Sequence, residues 1–220
     1  MKHAEPQAPK APFVPTAKGA KQWESTRLYR ACCRNLRAVA DQARSAEITE
    51  GLLWYTRANR LAQGLADRFG LTLEQAAGIL AVMSPGVAWD TQVERTGAWI
   101  EAELAAPGSA TFAGYTTNVN KARQLLVKGT LGVIKGPKVT AFWRAIAGNT
   151  EALALDRHAL RAALGTYGPD GDLRNSMTAG QRRTVEKAYR HCAKGYGLAP
   201  REFQAIVWCA QRRLTLEPSL

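Results

Sequence analysis

The run 72–84 constrains this chain more than any other segment. Thr72 is followed three residues later by Gln75, the reciprocal pair of a capping box, and Ser84-Pro85 stops the helix that the box begins. Between them Ala76, Ile79, Leu80 and Val82 leave almost no polar face. A helix that is apolar nearly all round persists in water only when other elements enclose it. The segment therefore predicts a central helix, with the rest of the chain packed around it.

The rest of the chain also reads as helix. From Ser25 onward, Leu28, Cys32, Leu36, Val39 and Ala43 recur at three-to-four spacing while Arg27, Arg30, Arg34 and Arg37 occupy other faces, so one side packs and another is basic. Further helices are expected at 52–69, ended by Gly70, and at 90–105, ended by Pro107-Gly108. Others follow at 121–127, at 139–147 before Gly148-Asn149, and at 159–164. The last two, 178–194 and 200–214, begin with a second Thr/Gln box (Thr178, Gln181) and with a first-turn proline (Pro200). The segment 165–175, with Gly168-Pro169-Asp170-Gly171, reads as a loop, and no strand pattern or internal repeat is visible. The expected class is all-α. One domain over 23–220 is expected after a flexible basic tail, 1–22, whose Pro, Ala and Lys residues offer little apolar surface to bury.

Charge narrows the partners. The chain carries 30 Lys+Arg against 18 Asp+Glu, a formal net charge of +12, which favours a polyanion, nucleic acid first and an anionic membrane surface second. No stretch is long and apolar enough to span a bilayer, and 1–22 lacks the apolar segment of a secretory signal, so a cytoplasmic location is expected. Cys32, Cys33, Cys192 and Cys209 form no C-x-x-C pair and read as reduced, buried or half-buried thiols. Neither a metal site nor a cofactor is expected.

Two segments carry the chemistry. Lys135-Gly136-Pro137-Lys138-Val139 places a lysine at the start of a helix, and Leu155-Asp156-Arg157-His158-Ala159-Leu160-Arg161 places an aspartate before another. Here the chain resembles the helix-hairpin-helix superfamily of base-excision DNA glycosylases, which includes endonuclease III and 8-oxoguanine glycosylase. In that family a glycine-bearing hairpin presents a lysine, and a run "V-D-x-H-x-x-R" presents an aspartate opposite it. Lys138, Asp156, His158 and Arg161 fall on those positions. The run Ile79 to Ser84, leading to Trp89-Asp90-Thr91, is similar to the family's central helix and its DNA-facing "L-S-x-x-T-D" turn. Asn120-Lys121-Ala122-Arg123-Gln124-Leu125-Leu126 is similar to the helix preceding the hairpin. The likeness covers about 72–164.

The resemblance implies a compact multi-helix glycosylase-like fold and a monomer acting on double-stranded DNA with the target base flipped out. It implies a glycosylase with abasic-site lyase activity. Lys138 would capture the sugar C1′ as a Schiff base, and Asp156 would stabilise the positive charge developing there. Lys121, Lys135, Gly136, Arg157, His158, Arg161, Trp89 and Gln92 would contact DNA. Taken alone, Asp156 reads first as an N-cap, His158 as a structural ring, Trp89 as packing at the base of its loop, and Trp54, Trp143 and Trp208 as core. The hairpin is degenerate: where the family reads "L-P-G-V-G", this chain has Leu131-Gly132-Val133-Ile134-Lys135-Gly136, and Pro137 lacks an N–H. A DNA-binding protein that has lost excision, or an enzyme remodelling hypermodified thymines in viral DNA, are the alternatives.

Overall fold

A computed structural model describes residues 27–85, 89–112, 114–165 and 177–216. They form α1 (Arg27–Ala40), α2 (Ser45–Phe69), α3 (Leu73–Met83), α4 (Trp89–Ala105), α5 (Thr116–Lys128), α6 (Pro137–Ile146), α7 (Arg157–Leu164), α8 (Ala179–Gly195) and α9 (Pro200–Leu216), with a 3-10 turn, Leu131–Val133, between α5 and α6. Helix accounts for 77% of the described residues, and no strand occurs among them, which is the all-α class expected. The tail expected over 1–22 lies outside the described residues, as does the loop expected over 165–175 apart from Gly165.

Local chemistry places most helix ends. Thr72 Oγ1 accepts the Gln75 N–H at 3.1 Å and Gln75 Oε1 accepts the Thr72 N–H at 2.9 Å, so two amides that the first turn leaves open are satisfied. The Thr178–Gln181 box repeats the arrangement at the start of α8. Two boundaries differ from expectation by more than a turn. Helix α2 begins at Ser45, ahead of 52, because Glu47 accepts the Arg44 N–H at 2.8 Å and is gripped by Arg213 Nε of α9 at 2.6 Å. Helix α5 begins at Thr116, ahead of 121.

Helix α3 is the hub. Every residue from Ala76 to Met83 is buried, and α2, α4, α5 and α6 pack against it. On the far side α9 lies along α2 and also meets α1, α7 and α8, while α8 lies along α1. The core accordingly has three clusters: one among α1, α7, α8 and α9, one among α2, α3 and α6, and one among α3, α4 and α5. The middle cluster is built largely of alanine (Ala58, Ala62, Ala66, Ala76, Ala77, Ala81, Ala145), so helix axes approach closely. Three of its larger side chains, Trp54, Trp89 and Phe142, pack against one another.

Three cysteines, Cys32, Cys33 and Cys192, are buried and Cys209 is half-buried, as expected for free thiols. Burial pushes the Cys32 and Cys192 thiols up to about 12, which leaves them protonated at neutral pH. No helix of the described residues is long and apolar enough to cross a membrane.

The α2–α9 contact depends on a missing side chain. A Cβ added at Gly51 would stand 2.5 Å from the Ile206 backbone N and 2.6 Å from its Cα, distances at which the backbone itself must move. Gly51→Ala gains about 1 kcal/mol of helix propensity but forces the two helices apart. The clash dominates, and the variant is expected to lose about 2 kcal/mol or more. A guanidinium melt whose midpoint is unchanged or raised would remove this account of the interface.

Candidate functional site

Lys138 stands on the first turn of α6, which the sequence starts sharply: Gly136 takes φ 87° and Pro137 occupies the first helical position. Its Nζ donates to Ser84 Oγ at 3.1 Å and lies 4.9 Å from the centre of the Phe142 ring. Ser84 is the residue that ends α3. The hub and the first turn of α6 therefore meet at the amine.

Asp156 is the N-cap of α7. Its Oδ1 accepts the Ala159 N–H at 2.9 Å, and its Oδ2 accepts Trp208 Nε1–H from α9, also at 2.9 Å. One bond sets the start of the helix and the other ties α7 to α9. A carboxylate has about four lone-pair directions, two per oxygen, so a position on each oxygen is left for a further partner. The carboxylate is felt widely: its negative charge adds to burial in holding the phenols of Tyr55 and Tyr189 neutral. Tyr55 donates to Gln204 at 3.0 Å, and Tyr189 donates to the Ala159 carbonyl at 2.8 Å.

A cluster of rings connects the two groups. Phe142, under the amine, is 5.6 Å from Trp54. Trp54 is 4.9 Å from Trp89 and 6.5 Å from Trp208, the partner of Asp156. Trp54, Trp89 and Trp208 are each half-buried. The three belong to α2, α4 and α9, so the lysine and the aspartate mark opposite ends of one aromatic edge assembled from remote parts of the chain. Trp208 and Trp54 read as ordinary core in the sequence. The signal that would have singled them out, proximity to Asp156 and Phe142, is absent from any local pattern.

His158 packs edge-on to Trp208 with ring centres 6.1 Å apart, and its Nε2 lies 3.3 Å from Arg157 Nε. Arginine is always the donor, so the neutral ring carries its hydrogen on Nδ1, a buried atom with no partner among the described residues. Burial holds this histidine below its ordinary 6.5. Asp156 opposes the effect, and Arg157, Arg161 and Arg212 reinforce it.

The remaining expected DNA contacts divide. Lys135, Gly136 and Arg157 are exposed, while Lys121 and Arg161 are half-exposed. Trp89 is part of the ring cluster at the start of α4. Gln92 does not present itself to DNA, contrary to expectation. It is fully buried, and its amide donates to the Leu80 carbonyl of α3. A polar residue on the first turn after a loop reads as solvent-facing, but α4 turns that side onto the hub. Beside the site, a cavity of about 610 Å³ opens between α6 and α8, lined among others by Gly136, Pro137, Thr140, Arg144, Glu151 and Arg190. Lys138 and Asp156 are not among its lining residues.

The chain belongs to a family of unknown function, DUF7178, whose model matches residues 19–215. No curated protein and no solved structure matches it.

Two measurements test the site's energetics. Asp156→Ala loses both the cap, worth about 1 kcal/mol, and a charge-assisted bond worth about 1.5–3 kcal/mol. Asp156→Asn keeps an acceptor for the cap and costs clearly less. Equal denaturation midpoints for the two variants would contradict this assignment. For His158, the unfolded chain takes up a proton near pH 6.5 while the folded ring resists it, so stability falls as pH drops below that value. In His158→Gln the decline over that window should be shallower. Identical pH profiles would show that the ring is not held neutral.

Proposed function

We propose that this member of the DUF7178 family acts on a base extruded from double-stranded DNA, as a DNA glycosylase with abasic-site lyase activity. Lys138 supplies the amine and Asp156 the carboxylate. The observation that carries this reading is the pair's arrangement: an amine and a carboxylate at the two ends of one half-buried aromatic edge. Trp54, Trp89 and Trp208 are half-buried, and a tryptophan ring offers an unstacked base a stacking partner worth about 1–3 kcal/mol per base. A net charge of +12 supplies attraction to the phosphate backbone.

The chemistry uses both groups. The neutral Lys138 amine attacks C1′ as the bond from C1′ to the base breaks, and the base leaves with the electron pair and takes up a proton. Opening of the sugar ring then yields the imine to Lys138, from which β-elimination expels the 3′ phosphate. Asp156, anchored by Ala159 and Trp208, faces the positive charge that develops on the sugar. The turn between α5 and α6 resembles a degenerate helix-hairpin-helix. Gly136 keeps the positive φ that such a hairpin needs, while Pro137 removes one amide, and exposed Lys135 adds a charge in compensation.

One observation favours a second reading, DNA binding without excision: both Asp156 oxygens already accept bonds within the fold. Borohydride reduction in the presence of a duplex carrying an abasic site separates the two. Excision chemistry gives a covalent complex through Lys138 that Lys138→Ala abolishes and Asp156→Asn slows on the order of 100-fold. Binding without trapping, across duplexes with abasic sites and modified bases, would establish the second reading.

A further inference from the structure

Helices α1 and α8 lie side by side, and their shared outer face is cationic. On α1, Arg30, Arg34 and Arg37 follow one another at four- and three-residue spacing, all exposed, and the helix has no acidic residue. On α8, Lys187, His191 and Lys194 repeat that spacing and are exposed. Three contacts place the two rows along one seam. Arg37 Nη2 stands 3.2 Å from His191 Nε2, His191 packs against Tyr29 at 5.8 Å, and Lys187 Nζ sits 5.5 Å from the Tyr29 ring centre.

This concentration of like charge is not neutralised within the fold. Among the described residues Arg30, Arg34, Arg37, Lys187 and Lys194 make no salt bridge, whereas Arg57, Arg68, Arg123, Arg190 and Arg213 each have a carboxylate partner. Asp41, one turn past Arg37, takes the Tyr196 hydroxyl as its donor. Arg37 is directed at a histidine ring. Close like charges raise the energy of the free protein, and a bound polyanion removes that cost.

We infer that the α1–α8 seam is a docking face for the phosphate backbone of double-stranded DNA, built on elements other than those that hold Lys138 and Asp156. The composition of the face favours a nucleic-acid backbone over a bilayer or a protein. Neither α1 nor α8 carries a large exposed apolar side chain between the cations; the one such ring beside them among the described residues, Tyr196 just past α8, has its hydroxyl engaged by Asp41. An amphipathic membrane helix or a protein interface needs such anchors, whereas phosphate contacts need only charge and donors. Helix α1 alone is roughly 20 Å long at 1.5 Å per residue, which spans several successive phosphates. The inference rests on the reading above only for the identity of the polyanion; it does not need the pair to react.

The test is equilibrium binding of the full chain to a fluorescent duplex as a function of salt. The triple variants Arg34→Ala/Arg37→Ala/Lys187→Ala and Arg34→Glu/Arg37→Glu/Lys187→Glu are compared with Arg60→Glu/Arg95→Glu, exposed cations off the seam. The alanine triple should lose on the order of tenfold to a hundredfold in affinity, with a salt slope shallower by about two to three units. The glutamate triple should lose more, and the control less. Affinity unchanged in the seam variants, or equal losses in the control, would overturn the inference. So would seam-dependent binding to phosphatidylserine vesicles in the absence of seam-dependent binding to the duplex. Lys138→Ala should bind the duplex with the same seam dependence. A failed borohydride trap with seam dependence intact removes the chemistry alone, and a successful trap with no seam dependence removes the docking face alone.

Discussion

Enclosure of α3 is the constraint on which the architecture depends. Its backbone hydrogen bonds are internal, so burying it costs no unsatisfied amides beyond its ends, and those ends are served by the Thr72–Gln75 box and by Ser84. Ile79, Leu80, Val82 and Met83 each contribute about 1.5–3 kcal/mol by leaving water. Such a helix has no free face, and this forces α2, α4, α5 and α6 to surround it. Small residues decide how near they come. At Gly78 an added Cβ would lie 2.9 Å from Ile134 Cδ1, so the turn before α6 is seated directly on the hub. Lys138 reaches Ser84 because of that seating.

The second half of the molecule is organised around α9. It joins the N-terminal helices to the C-terminal ones through two unlike contacts, the close backbone approach at Gly51 and the ion pair of Arg213 with Glu47. Trp208 on the same helix completes the ring cluster and holds Asp156. One element thus sets both the packing of the lobe and the orientation of the carboxylate. The consequence is that stability and site geometry are coupled here: loosening α9 moves Trp208, and Asp156 loses one of its two restraints.

Acids and bases are used differently in this fold. Buried carboxylates serve as structural acceptors. Glu103 takes the Arg123 guanidinium at 2.8 Å and the Gly108 amide at 2.6 Å. Burial pushes its carboxyl up, but those bonds outweigh burial and leave it below the ordinary value. Glu47 behaves in the same way with Arg213 and the Arg44 amide. Many of the remaining described cations stay outside, among them Arg30, Arg34 and Arg37 of α1 and Lys187 and Lys194 of α8.

How much of this was legible follows from the range of each interaction. The helix class, the all-round burial of α3, the two Thr/Gln boxes and the cap at Asp156 were readable, because a cap or a periodic face involves residues within a turn or two of each other. The start of α2 was not readable, since Glu47 is held by Arg213 from the far end of the chain, and Gln92 was misread because the neighbour that buries it belongs to another helix. Local patterns were enough to place most of the helices, the lysine and the aspartate that open two of them, and the basic face of α1. That Trp54, Trp89, Phe142 and Trp208 join those two groups, and that α8 adds its cations to those of α1, emerges from the packing of remote helices. Which helix faces meet is settled by close packing of the whole chain, and no local pattern carries that information.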